Sequence, residues 1–485
     1  MCGANEKALT SGKLAGKGSE TSQQGTFHSM GIGAYYRIAR YKLAATALAL
    51  ALGLVAFGQS TAPKESSAQM RLALKLFKDS RFSTPQGDLQ NSCASCHLMD
   101  EDPQGMRAHT DFFARSWVPW RAGDPRRDGL RNAPTIFDSG SMPRLHFDGE
   151  FGSLEDLVKG TLSGRPMGWL PGEEQEAFDR VYKIIVNDIA PVTSKAASYR
   201  TEFKAAYGVD PETLGKAEVI ERVAKSIADY IRTQKSGRAT PYDRFVQANG
   251  LASGPEEGED PKLLAGRILE KVTALEKKRA LKLPRGFDKA AVEGMKVFFR
   301  IDGGAAVGNC VACHAPPLFT DFSFHNMGIS QGEYDQINGE GSFAELKIPT
   351  AAEAKRPSAQ FRETPSRKKP GCADLGFWNF VDLKTSPFRR KGESDDQFLQ
   401  RMVAAFKTPS LRNLDFTQPY MHTGGFSTLE SAIAEIMRLS ELARAGKVRQ
   451  ADEQLARINI SEADIAPLVA FLRTLNEELK PGQKY

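Results

Sequence analysis

Cys93-Ala-Ser-Cys-His97 and Cys310-Val-Ala-Cys-His314 decide how this chain is read. Two thiols at this spacing can add to the two vinyl groups of a haem, and the histidine that follows lies under the iron and supplies an axial nitrogen. A zinc site would need further Cys or His ligands nearby, and a redox dithiol would leave the histidine unexplained. Two independent matches argue against both. Cys93, Cys96, Cys310 and Cys313 are therefore read as attachment points for two covalently bound c-type haems, with His97 and His314 as axial iron ligands.

Working outward, the same order of elements precedes each motif. An amphipathic helical period over 68–78 leads through a polar loop to Cys93, and one over 290–299 leads through a Gly-rich loop to Cys310, 217 residues later. Helical periods return over 218–236, where Val219, Ile220, Val223, Ile227 and Ile231 share a face, and over 461–478. In the last of these Pro467 should lie in the first turn, which makes Asp464 rather than Ser461 the expected cap. Residues 100–149 are rich in Pro, Gly, Arg and aromatics without clear periodicity, and alternating strand patterns are scarce. The pattern predicts a mainly α protein, two cytochrome c-like haem domains with long irregular loops. The expected division is a leader over 1–62, an N-terminal haem domain over 63–249, a linker over 250–285 and a C-terminal haem domain over 286–485.

The leader has its own order: Arg37, Arg40 and Lys42, then an apolar run over 43–58, then small and polar residues to Ala62. That is the layout of a secretory signal, and sixteen apolar residues are short for a membrane span of about 20. A periplasmic location is expected, with a membrane-anchored protein as the alternative. Residues 1–62 hold six basic side chains and two acidic ones, so most of the formal charge of +6 sits there. The remaining chain is close to neutral, which gives a nucleic-acid partner no electrostatic support. Of the six cysteines only Cys2 and Cys372 lie outside the motifs, so this is no disulfide scaffold, and Cys372 is expected as a buried free thiol.

What occupies the sixth position of each iron decides its work, because a fully ligated haem passes electrons and an open one binds a small molecule. His28, His109, His146, His325 and His422 are the other histidines, and Met327, Met421 and Met437 follow the second motif. Any one methionine packs as readily as it ligates.

Several further stretches resemble the bacterial di-haem cytochrome c peroxidases and the related MauG-type enzymes. Before Cys93 stands Leu-Lys-Leu-Phe-Lys-Asp-Ser-Arg-Phe-Ser (74–83), and after it Arg-Asn-Ala-Pro-Thr (131–135) and His-Phe-Asp-Gly (146–149) with Ser-Leu-Glu (153–155). After Cys310 come Phe-Thr-Asp-Phe-Ser-Phe-His-Asn (319–326), Lys-Thr-Pro-Ser-Leu-Arg-Asn (407–413), Thr-Gln-Pro-Tyr-Met-His-Thr-Gly (417–424) and Thr-Leu-Glu (428–430). The likeness runs from about Met70 to Leu475.

The resemblance implies a peroxidatic haem at His97 and a high-potential electron-transfer haem at His314, whose sixth ligand would be Met437, with Met421 as rival. It also implies a calcium ion between the domains, held by Asn132 and the carbonyls of Thr417 and Pro419, oxygen donors that suit Ca²⁺. The implied reaction is reduction of hydrogen peroxide with electrons from a small periplasmic cytochrome c or cupredoxin; a homodimer is the assembly to test. Two alternatives accompany it: a MauG-like oxidase that modifies a partner protein, and a di-haem electron carrier without peroxidase activity. The chain departs from the family where Phe147 replaces a Trp and where the usual acid/base Gln and Glu are not evident. His146 is the candidate to move the proton in O–O cleavage, with Glu150 and His109 behind it.

Overall fold

The computed structural model describes residues 67–97, 118–124, 129–187, 198–303 and 306–478. The leader, its signal and His109 lie outside the described residues. The helical period before Cys93 becomes α1 (Ala68–Phe77), started by Ser67, whose side chain accepts from the Met70 N–H. Its buried face of Met70, Leu72, Ala73, Leu76 and Phe77 packs on the helix that closes this half. Between them in sequence run α2 (Leu154–Leu162), α3 (Glu174–Val186) and α4 (Tyr199–Tyr207), and the closing helix is α5 (Lys216–Thr233). The apolar stripe read from the sequence is the buried stripe of α5, and Tyr230 meets Phe77 at 4.9 Å between ring centroids. Each such side chain fully removed from water contributes about 1.5–3 kcal/mol. These residues form one continuous core, against which Cys93 packs.

A second core begins with α6 (Pro241–Asn249). The segment expected as a linker holds α7 (Pro261–Lys277), whose Leu264, Ala265, Ile268 and Val272 are buried in that core. Asp260 caps it and Pro261 opens it, so the Gly/Pro/acidic run is a helix start rather than an extended connection. The second half then repeats the first: α8 (Lys289–Phe299) precedes Cys310 and packs on the last helix, α12 (Glu462–Arg473). The crossing is close. A Cβ on Gly294 would lie 1.8 Å from the Pro467 carbonyl oxygen, so no larger residue fits. Ser461 caps α12 in a reciprocal box with Asp464, which corrects the expected cap; Pro467 sits beyond the first turn.

The third core was not anticipated. It is built from residues between 324 and 405 around a fully buried Trp378, with Phe343, Phe361, Phe377, Phe398 and Met402. The chain enters beyond β1 (Phe324–His325), passes through α9 (Ile329–Asn338) and α10 (Asp395–Arg401), and returns at β2 (Phe406–Lys407). The two strands pair antiparallel, Phe324 opposite Lys407 and His325 opposite Phe406. This pair closes the neck of an insertion set into the second half. Cys372 lies inside it, completely buried as expected, but disulfide-bonded rather than a free thiol. The last long helix, α11 (Leu429–Arg444), completes the second half. The molecule is mainly helical, and among the described residues no helix is long and apolar enough to cross a membrane.

Candidate active site

Each Cys-x-x-Cys-His motif forms a single helical turn. Cys93–Cys96 is one turn closed by the His97 N–H on the Cys93 carbonyl at 2.9 Å, and the His314 N–H reaches the Cys310 carbonyl at 2.8 Å. The turn puts both thiols and the histidine on one side. None of the four motif cysteines is in a disulfide, although only two residues separate the members of each pair. Burial pushes the Cys93 and Cys310 thiols up to about 12. Half-buried free thiols with an imidazole beside them are the donor set a c-type haem consumes, so the residues present fit the group.

The two histidines are not held alike. His314 Nδ1 donates to the Phe319 carbonyl at 2.8 Å, which fixes the ring and leaves Nε2 as the ligand nitrogen. Burial lowers the affinity of His314 for a proton, with the Phe319 carbonyl opposing. His97 Nδ1 is buried without a partner. Burial, and after it the neighbouring His146, brings the His97 imidazole down to about 4.

His146 and Glu150 occupy a short loop over 145–151 whose ends are bridged, the Leu145 N–H meeting the Phe151 carbonyl at 2.9 Å. His146 has a φ of 62°, a conformation uncommon for any residue but glycine. Its ring stands edge-on to Phe151 at 5.0 Å, and Nδ1 is 3.3 Å from Glu150 Oε2. Burial pushes the Glu150 carboxyl up, but the His146 hydrogen bond and the Arg362 and Arg131 charges outweigh it, and the group stays below its ordinary 4.5.

A second loop over 420–426 repeats this construction in the other half. The Tyr420 N–H meets the Phe426 carbonyl at 2.7 Å, Met421 has a φ of 66°, and Gly424 matches Gly149 at 64° against 69°. Each loop feeds a helix capped by a hydroxyl, Ser153 for α2 and Thr428 for α11. His146 thus stands where Met421 stands, and Phe147 where His422 stands. The two second residues face each other, with ring centroids 6.5 Å apart, and His422 stacks on Phe406 at 3.5 Å. Sequence reasoning passed over this pairing, although His-Phe-Asp-Gly with Ser-Leu-Glu and Met-His-Thr-Gly with Thr-Leu-Glu share one spacing.

It also missed the buried cluster under the first loop. Arg131 reaches Asp148 at 2.6 Å and Asp374 at 2.6 and 2.7 Å, and Asp148 is fully buried. Its partners keep the guanidinium charged against the burial that disfavours it. Arg362 joins Glu150 at 3.0 Å. Both Asp374 and Arg362 come from the insertion, more than 200 residues away in sequence, where no local pattern could reveal them.

Of the expected calcium ligands, Asn132 and Pro419 are brought together: the Asn132 amide donates to the Pro419 carbonyl at 2.7 Å, and Asn132 Oδ1 is buried without a partner. Thr417 lies two residues from Pro419, its N–H on the Leu414 carbonyl at 3.1 Å. An orphaned amide oxygen beside a carbonyl is a fit donor pair for a hard cation. Met437 on α11 and Met421 in the second loop both pack, half-buried, against the second core. Met327 packs there too. His325 is taken up by Asp452 and Asp321, at 2.6 and 2.7 Å, and these hold it protonated despite its burial.

Comparison with known proteins agrees with this picture. The family model described as di-haem cytochrome c peroxidase matches residues 67–250. The chain is 25% identical over 419 residues to cytochrome-c peroxidase IdrP2 of Denitromonas iodatirespirans, covering 86% of this chain and 83% of the relative. It is equally 25% identical, over 446 residues, to methylamine utilization protein MauG of Paracoccus denitrificans (strain Pd 1222), covering 84% and 88%. Among solved structures the diheme peroxidase BthA from Burkholderia thailandensis E264 shares the fold, with a TM-score of 0.51 at 19% identity over 86% of this chain and 87% of that one.

Proposed function

The chain belongs to the di-haem cytochrome c peroxidase/MauG family, and on that premise we propose that it reduces hydrogen peroxide to water with electrons from a small periplasmic cytochrome c or cupredoxin. The domain division that goes with this is a peroxidatic haem domain over 63–249 and an electron-transfer domain over 286–485. The observation that carries the proposal is the pair of His146 and Glu150, Nδ1 3.3 Å from Oε2, on the loop over 145–151.

Bound haem supplies the iron chemistry that cleaves the O–O bond and stores electrons. The chain's own part is protons and position. With Nδ1 turned to Glu150, His146 keeps Nε2 for the substrate: it takes the proton from one peroxide oxygen and returns it to the other, which leaves as water. Glu150 holds the tautomer and supports the positive ring in between. Peroxide takes up two electrons and two protons and yields two waters. In the second half His314 and Met437, with Met421 as rival, would hold the iron of a haem that would supply electron storage. Cys93, Cys96, Cys310 and Cys313 hold the haems, and Asn132 with the Thr417 and Pro419 carbonyls is assigned to Ca²⁺.

The test is turnover of peroxide against a reduced small cytochrome, with optical and EPR spectra of the half-reduced protein. Peroxide consumption with an open coordination position at the first haem is expected. Full ligation of both haems without consumption would leave an electron carrier. Ile436 and Met437 stand where a MauG-type enzyme has Tyr, which favours the peroxidase over the oxidase reading. A chelator should slow turnover reversibly if the calcium assignment holds.

A further inference from the structure

The insertion between β1 and β2 has its own core and lies far in sequence from the loop that carries His146, yet two of its side chains converge on that loop. Arg362 and Asp374 are cross-strand partners within it, joined by an antiparallel bridge. The Leu375 N–H donates to the Phe361 carbonyl at 3.1 Å, so the two positions are held in register. From this ladder Arg362 Nη2 reaches Glu150 Oε2 at 3.0 Å, the same oxygen that faces His146 Nδ1. The guanidinium lies over the Phe380 ring at 4.7 Å, and its Nε is buried without a partner. Asp374 accepts both bonds from Arg131, whose remaining arm reaches Asp148. Contact continues at Gly149, where a Cβ would lie 2.5 Å from Phe324 Cζ and 3.0 Å from Phe377 Cδ2.

We propose that the insertion is a clamp for the peroxide-side loop, in which Arg362 acts through Glu150 as the positioning residue for His146. This rests on the reading of His146 as the proton-moving group. A histidine at φ 62° does not hold that conformation by its own preference, so the surroundings must over-determine it. Met421 shares that φ in a loop closed by the same cross-bridge; here two ionic contacts, one at each side of Gly149, add to it. The forked guanidinium, stacked on Phe380, aims one arm at a single carboxylate oxygen; a lysine could supply the charge but not the plane. A His–Glu–Arg series, its last member borrowed from the insertion, then takes the part of the usual Gln and Glu, which are not evident after Ser-Leu-Glu.

The experiment uses the haem-loaded protein and the variants Arg362→Met, Arg362→Lys, Glu150→Gln and the double variant Arg362→Met with Glu150→Gln. Lys369→Met, which removes an exposed ion pair to Glu363 in the same insertion, is the control. The readouts are kcat and KM for peroxide and amide hydrogen exchange of residues 145–151. Arg362→Met should lower kcat/KM for peroxide by about 10- to 100-fold, leave KM for the electron donor unchanged, and speed exchange in the loop at least about tenfold. Arg362→Lys should recover only part of both losses. The double variant should be little worse than the worse single one, because both changes break one interaction. The control should match the unchanged protein in both readouts. Wild-type kcat/KM and exchange in Arg362→Met, or losses that simply multiply in the double variant, overturn the clamp. If Arg362→Met does not fold, Glu150→Gln and Arg362→Lys decide by the same readouts. Should the unchanged protein consume no peroxide, the proposed function fails, while the exchange data still accept or reject the clamp.

Discussion

The loops over 145–151 and 420–426 are two copies of one backbone, and they differ in the side chains those copies carry. Both are closed by the same cross-bridge, both put a non-glycine residue at positive φ first and a glycine fourth, and both lead into a hydroxyl-capped helix. The first carries His146, Asp148 and Glu150, charged or titratable groups held by Arg131 and Arg362. The second carries Met421, His422, Thr423, Gly424 and Gly425, with no acidic group at all. On the proposed function the first loop moves a proton and the second lies against the electron-transfer haem. The axial histidines follow the same division. His314 is oriented by the Phe319 carbonyl, which makes it a stronger donor, while His97 Nδ1 has no such partner.

The strongest way to break this comparison is to exchange the first residues. His146→Leu should lower kcat/KM for peroxide by about 10²–10⁴-fold, the range that a positioned acid/base group supplies. Stopped-flow reaction with peroxide measures it directly. The equivalent change Met421→Leu should act only on the spectrum and potential of the second haem, and less than Met437→Leu, which should abolish methionine ligation and lower the potential. If Met421→Leu does so instead, the loops are equivalent in ligation as well as in backbone, and the Met437 assignment falls.

Next in size come the arginines that begin each Arg-Asn pair. Arg412 in the second half meets one carboxylate, Asp243, through two bonds of 2.8 Å, with its Nε on the Pro317 carbonyl at 2.7 Å, and is almost completely buried. Arg131 in the first has two carboxylate partners. Asp243→Asn should therefore cost about 3–5 kcal/mol, the range for a buried charge losing its partner, and Asp374→Asn less, because Asp148 remains. Denaturant unfolding ranks them. A larger loss from Asp374→Asn would mean that the clamp, not the charge balance of Arg131, carries the stability.

Acid should separate the halves in a related way. The Glu150 carboxyl is held below its ordinary 4.5, because the His146 bond and the arginine charges outweigh burial. A depressed carboxylate contributes stability above its unfolded value, and loses it as the pH falls through the lower, folded one. In melts below pH 4.5 the unchanged protein should therefore approach Glu150→Gln, whereas at neutral pH it should be the more stable of the two. A constant difference across that range would show that Glu150 contributes by packing rather than charge.

How much of this was legible beforehand follows from how local each feature is. Haem attachment is written in five consecutive residues, and α1, α5 and α8 in 3.6-residue periods, so both could be read directly. Ser461 was passed over because Pro467 was expected inside the first turn; the helix accepts it one position group later, where its carbonyl packs on Gly294. The insertion left little trace, since its core is aromatic and irregular rather than periodic. Arg362 and Glu150 are 212 residues apart, and only folding states that they belong together. The loop pairing was available in principle. It needed the chain to be compared with itself, where comparison with a family drew attention to what was missing at Phe147.

The smallest effect tests that self-similarity most cleanly. Ser153 Oγ accepts from the Asp156 N–H at 3.1 Å, and Thr428 Oγ1 from the Ser431 N–H at 3.1 Å. Removing either hydroxyl leaves one helix-end donor to water and should cost about 1 kcal/mol. If the two loop–helix junctions are true copies, Ser153→Ala and Thr428→Ala should raise amide exchange in the first turns of α2 and α11 by matching factors, about fivefold each. Only Ser153→Ala has the loop of the proposed proton-moving histidine upstream of it. A small fall in peroxide turnover confined to that variant would mean the cap helps hold His146 in register. Equal exchange without any such fall would mean the insertion holds that loop so firmly that loosening its helix end no longer reaches the histidine.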